Sequence, residues 1–231
     1  MTQFLSTLSR SALTPLVALG MMSVAALAED LSKYRNFQLG TDLATVAKQA
    51  DSNPSQAKVT HSRPALIQEL EWSPQPLGST AQAEPAKDVV FSFYNGELYQ
   101  IVINYDRYAT EGLTVGDLVD AISSAYGASA KPAGLAKSTP GRYGDPEEVL
   151  AQWQDSQYRF ELIRSSYGPS FQLVGVLKRL DAPAQAAIVE SRRLDDKEAP
   201  QRDAERIAAE NETERAKLDK ARLLNKPKFR L

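Results

Sequence analysis

The chain has 231 residues, 42% of them hydrophobic, with no cysteine, one histidine and a formal net charge of −2. The missing cysteines exclude disulfides, thiolate catalysis, thiolate–zinc sites and a lipid carried on an N-terminal cysteine. The slight acidity argues against broad nucleic-acid binding, and the length suits one ordinary domain with a tail.

The first element is a secretory signal. "MTQFLSTLSR" carries one positive side chain, Arg10, and residues 11–28 then run without a charge to small residues at Ala26 and Ala28. That order of positive start, apolar run and A-x-A end predicts cleavage after Ala28. Pro15 and Gly20 interrupt the run, which disfavours a bilayer-spanning helix. Residues 1–28 are therefore read as a signal peptide and the location as periplasmic or secreted. The mature chain keeps 26 basic and 29 acidic side chains.

Next comes a helix in "TDLATVAKQA", with Leu43, Val46, Ala47 and Ala50 on one stripe. "ALIQELEWS" follows as a strand in which Leu66, Leu70 and Trp72 share a parity. Asn95-Gly96 lies between "VVFSFY" and "ELYQIVINY". Both residues tolerate positive φ, so a two-residue type I′ hairpin is predicted. It pairs Tyr94 with Glu97, Phe93 with Leu98 and Val90 with Ile101.

The pattern then repeats. "LTVGDLVDAISSAYG" reads as a helix capped by Thr114 and Asp117, stapled by Leu113 and Leu118 and stopped at Gly127. "EEVLAQW" is a strand with Val149, Ala151 and Trp153 on one parity. "YRFELIRSSY", Gly168-Pro169 and "SFQLVGVLKRL" form a second hairpin. "YNGELYQIV" and "SYGPSFQLV" lie 72 residues apart, as do the two helices. Trp72 and Trp153 are 81 apart, and the difference falls in Pro/Gly/Ser/Ala-rich connections. The expected fold is α+β: two tandem αβββ modules, 29–109 and 110–180, forming antiparallel sheet(s) with helices on one face. One copy, about 70 residues, is marginal alone; two sheets joined side by side enlarge the core and remove a pair of open edges.

Strand alternation places Tyr94, Tyr99, Ile101, Ile103 and Tyr105 on one hairpin face, and Phe91, Phe93, Leu98 and Val102 on the other. Helices can cover one of them. The tyrosine face is expected to be open or partly covered by the tail, and to bind a partner, since tyrosine packs its ring while keeping its hydroxyl wet.

From Asp181 to the end the chain reads as a charged, partly disordered helical tail, 181–231. Asp181 is expected to cap it, with Pro183 in the first turn and Pro200 kinking or splitting it. Ile207, Leu218, Leu223 and Leu224 do not hold a heptad, so a long coiled coil is not expected. Residues 195–214 carry eight acids and three bases, and residues 215–231 carry seven bases and one acid. The basic end offers Lys217, Lys220, Arg222, Lys226, Lys228 and Arg230 to an anionic membrane or cell-wall surface, with Phe229 and Leu231 as a small apolar tip.

Catalytic patterns are poorly supported. His61, in "KVTHSRP", is read as a solvent-exposed loop residue, and no G-x-S-x-G accompanies it. "SQAK" at 55–58 lacks the K-T-G and S-D-N that S-x-x-K chemistry requires, and "GRYGD" lacks the G-K-[ST] of a phosphate loop. Glu69 and Glu71 share a strand face, which a solvated surface explains. No cofactor, metal or nucleic acid is expected.

"LGTDLATV", "EW" and "FSFYNGELYQIVI" resemble two groups of exported bacterial proteins. One is the outer-membrane-assembly lipoproteins of the SmpA/OmlA type; the other is the β-lactamase inhibitor protein, which has two such modules and a concave sheet. Gly40, Phe93, Gly96 and Leu98 sit at roughly corresponding positions. The likeness covers residues 34–105 and, more faintly, 112–180, and it extends to exported proteobacterial proteins at large. The lipidated cysteine of the first group and the disulfides of the second are absent here. The resemblance implies binding. The expected function is thus a non-enzymatic envelope protein that engages another envelope protein through its sheet face. The alternative is attachment to an anionic surface through the basic tail.

Overall fold

The computed structural model describes residues 30–74, 85–130, 147–165 and 171–228. The expected signal peptide, the Gly168-Pro169 turn and residues 229–231, with Arg230, lie outside the described residues. A small hairpin, β1 (Lys33–Tyr34) and β2 (Phe37–Gln38), leads into helix α1 (Leu43–Gln49). Strands β3 (Lys58–His61), β4 (Ile67–Trp72), β5 (Ala86–Tyr94) and β6 (Glu97–Tyr105) follow, then helix α2 (Val115–Tyr126). Strands β7 (Glu147–Gln154), β8 (Tyr158–Ser165) and β9 (Phe171–Leu177) run directly into helix α3 (Lys178–Asn225).

The chain is α+β, as expected. Seven strands form one antiparallel sheet in the order β3-β4-β5-β6-β9-β8-β7. The duplication is visible in its register. Val102 in β6 pairs with Val174 in β9, its own counterpart 72 residues on. Gln100 pairs with Val176 and Asn104 with Gln172, so a local two-fold passes between the two valines. Outward from it the copies match step for step. Ile103 neighbours Val89, which neighbours Trp72; Gly175 neighbours Phe160, which neighbours Trp153. The tryptophans are therefore equivalent, and their extra sequence separation is absorbed between the strands.

Local chemistry explains the elements. Asn95 and Gly96 take φ of 50° and 85°, as a type I′ turn requires. The Asp42 carboxylate accepts from the Thr45 amide at the start of α1 (3.0 Å). Thr114 and Asp117 form the reciprocal cap of α2, with the Asp117 amide donating to the Thr114 hydroxyl at 3.2 Å and the Thr114 amide donating to the Asp117 carboxylate at 2.7 Å. The Thr45 amide holds the Asp42 carboxyl below its usual range, and the Thr114 hydroxyl and amide, both donating to the Asp117 carboxylate, do the same for Asp117.

Both helices lie on the inner sheet face and close one continuous core. In the first copy Phe37 packs on Phe91 (ring centroids 4.5 Å apart) and on Trp72 (5.0 Å). In the second, Tyr126 of α2 stacks on Phe160 at 4.6 Å. The Trp153 indole is 1% exposed and donates to the Gly127 carbonyl at 3.0 Å, beyond the last turn of α2.

Three expectations need correction. The β5–β6 register slips between Ser92 and Phe93, leaving Tyr99 as an extra, bulged residue. Val90 consequently faces Val102, and Phe91 faces Ile101. A similar slip in β7 turns Val149 toward Ile163, away from the parity of Ala151 and Trp153. Each bulge shifts the two-residue alternation by one, which reverses every side chain beyond it. Finally, "KVTH", expected as loop, adds strand β3 to the edge beside β4.

Candidate functional site

The bulge at Tyr99 divides the proposed tyrosine face. Ile101 and Ile103 are fully buried in the core beneath the helices, and Tyr105 packs against that same core. Tyr94 and Tyr99 point to the opposite, outer face. There Tyr99 is 2% exposed and packs with Ile67 and Ala184, while Tyr94, Leu180 and Ile188 close around them. The five residues thus do not form one surface, and the outer face at Tyr99 is covered by the protein's own last helix. Burial and the nearby Asp181 carboxylate push the Tyr99 phenol up to about 12. Burial also raises the Tyr105 phenol.

That covering helix is the most distinctive feature of the molecule. α3 has 48 residues and is thus about 72 Å long at 1.5 Å per residue. Its start differs from expectation. No side chain caps it, because it continues from β9 without a loop, and Asp181 instead pairs with Arg159 across the sheet at 3.2 Å. Leu180, Ala184, Ala187, Ile188 and Ser191 recur at helical spacing and face the sheet. Their small sizes at Ala184 (fully buried) and Ala187 let the helix lie close to the strands.

Polar contacts tie down this packed segment, the strap, from end to end. Arg179 forms an ion pair with Glu97 at the hairpin turn. Ser191, 2% exposed, places its hydroxyl 3.0 Å from His61 Nδ1 in β3. The lone histidine is therefore a half-buried strand residue that contacts α3, and not a solvent-exposed loop residue as expected. Next to it, Arg63 reaches both Glu198 (2.9 Å) and Asp195 (3.3 Å). The hydrogen bond to Glu198 raises the Arg63 guanidinium, and the reciprocal bond lowers the Glu198 carboxyl. Arg63, Asp195, Glu198 and Ser191 were not foreseen. The spacing of Leu180, Ala184, Ile188 and Ser191 was the available signal.

Beyond Ala199 the helix leaves the sheet. Pro200 lies inside it and does not split it, so of the two expected outcomes, a kink or a split, the split is excluded. Every residue from Pro200 to Lys228 is exposed. Residues 200–225 form an arm about 39 Å long. Its acidic part includes ion pairs within the helix, such as Arg206 with Glu210 at 3.0 Å. Of the expected anionic-surface residues, Lys217, Lys220, Arg222, Lys226 and Lys228 stand on the far end of the arm. With Arg215, they have no ion-pair partner among the described residues. Leu218 (64% exposed), Leu223 (76%) and Leu224 (59%) point outward from the same end.

Among the described residues no helix is long and apolar enough to cross a membrane, and no group of three or more His, Cys, Asp or Glu could hold a metal ion. No family model, curated protein or solved structure matches this chain.

Proposed function

We propose that this is a non-enzymatic envelope protein whose working part is the arm of α3, and that the arm's basic end attaches to an anionic surface. The supporting observation is the contrast within one helix: a strap fixed to the sheet up to Ala199, then an exposed rod whose tip cations have no ion-pair partner among the described residues. The body acts as a rigid base, and the strap sets the direction in which the arm leaves it. The acidic stretch next to the body repels a negative surface, so contact is made by the tip and the body is held away. Each cation near such a surface contributes about 1 kcal/mol, and salt weakens the attraction. The same geometry lends less support to a partner docked on Tyr94, Tyr99 and Tyr105, since α3 covers Tyr99 on the outer face and Tyr105 packs against the inner core. An exported location and the tandem-module likeness to envelope-assembly lipoproteins and to the β-lactamase inhibitor protein fit a binding role.

Co-sedimentation with phospholipid vesicles tests this. The mature chain should pellet with vesicles rich in anionic lipid at low salt, stay in solution with zwitterionic ones, and be released as salt rises. A chain ending at Ala199 should stay in solution throughout. Equal pelleting of the two chains would reject the arm as the attachment site.

A further inference from the structure

Attachment to a surface uses the basic end of the arm and gives the acidic half no contact of its own. Residues 195–214 carry eight acids and three bases, whereas residues 215–228 carry six bases and Asp219. The sign changes between Glu214 and Arg215, close to the middle of the exposed rod. Ile207, 50% exposed, and Leu218, 64% exposed, lie eleven residues apart, about three turns along one stripe, and straddle the same point. Ala204, Ile207, Asn211, Glu214, Leu218 and Ala221 continue that stripe at alternating spacings of three and four. Charge boundary, apolar pair and arm midpoint therefore nearly coincide. A rod with this layout is complementary to a reversed copy of itself.

We propose that the arm pairs antiparallel with the arm of a second copy of this chain, over residues 204–221. In that register Ile207 meets the second copy's Leu218 and Ala204 meets its Ala221, each contact occurring twice. Asn211 meets the second copy's Glu214, and the amide donates to the carboxylate. A parallel alignment would instead stack Glu214 on Glu214 and the acidic half on the acidic half. Beside the seam, Glu210 lies next to the second copy's Lys217, again twice. In the single chain Glu210 bonds Arg206 at 3.0 Å, and Lys217 has no partner among the described residues. The lysines at 226 and 228 reach the level of Glu198 at the base of the other arm. Four apolar layers over about 27 Å make a short, salt-sensitive pairing and not a long coiled coil. Because paired arms cover their own basic ends, pairing competes with surface attachment, and an excess of anionic surface draws the chain out of the dimer.

The inference rests on the arm being the working segment, but not on the surface it meets. Analytical ultracentrifugation of the mature chain at low salt, over a range of concentrations, tests it. Wild type should dimerise, and salt should dissociate the dimer. Glu210→Lys and Lys217→Glu should each weaken dimerisation about tenfold, since each replaces two attractive contacts with two repulsive ones. Mixing the two variants should restore a dimer, as should combining both changes in one chain. Circular dichroism verifies that every variant keeps its helix. A monomeric wild type, single variants that dimerise as wild type does, or folded variants that fail to recover on mixing would overturn the proposal. A monomeric wild type that still pellets with anionic vesicles removes the pairing alone, and a wild-type dimer whose folded monomeric Glu210→Lys variant is indifferent to anionic vesicles removes the surface reading alone.

Discussion

Gly175→Ile should destabilise the protein by at least about 2 kcal/mol in urea unfolding, and adding Phe160→Val should recover much of that loss. The two copies fill equivalent inner-face positions differently. The first uses Val89 beside Ile103, and the second uses Phe160 beside Gly175. A Cβ at Gly175 would lie 2.3 Å from Phe160 Cε1 and 2.5 Å from its Cζ, far inside contact distance. Phe160 is fully buried and its ring is stacked against Tyr126, so it cannot move aside cheaply. Phe160→Val alone leaves a cavity and should also destabilise, by about 2–4 kcal/mol. The double variant installs the first copy's pair of residues in the second. If the two effects simply add, these positions are not coupled as equivalent halves of a duplicated sheet.

Trp153→Ala should cost about 3–5 kcal/mol, the usual range for emptying a large buried site. The side chain is 1% exposed, and its indole donates to the Gly127 carbonyl at 3.0 Å and lies 3.2 Å from the Ser123 hydroxyl. It thereby joins the end of α2 to β7, and losing it also strands a buried carbonyl. Trp153→Phe keeps most of the bulk and loses the donor, so about 1–2 kcal/mol is expected. Trp72, its half-buried equivalent, should tolerate truncation better. Urea unfolding of the three variants checks the ranking. A Trp153→Ala protein as stable as wild type would show that α2 is not held through this residue.

The repeat was legible because its signals are local. Asn-Gly demands one turn, Thr114 and Asp117 demand one helix start, and period-two runs demand strands. The equivalence of the tryptophans could be reached the same way, by placing the extra residues in Pro- and Gly-rich connections. The face of each side chain could not. Nothing in "ELYQIVINY" marks Tyr99 as the bulged residue. The choice is made by register across three strands, where Phe93 must meet Leu98 and Val102 must meet Val174. One slipped residue sent Ile101, Ile103 and Tyr105 into the core and left Tyr94 and Tyr99 outside it. The strap was hidden for a related reason. Leu180, Ala184, Ile188 and Ser191 form a stripe too small and too polar at its end to stand out, and its complement, His61 with Arg63, lies 130 or more residues earlier in the chain. Pro200 drew attention as a kink or a split, and the helix runs through it unsplit. The charge sorting of the arm needed no fold to be read, because an exposed helix keeps its sequence order in space.

α3 is two things in one helix, a strap and an arm. Residue-resolved hydrogen exchange on the mature chain, at salt high enough to screen arm pairing, measures this directly. Amides around Ala184 to Ser191 should be protected nearly as well as those of β6 and β9, since opening them uncovers Tyr99 and Ile67. Amides from Gln201 to Asn225 should exchange far faster, with protection falling steeply near Ala199. Uniform protection along α3, or early exchange at Ala184, would contradict the division.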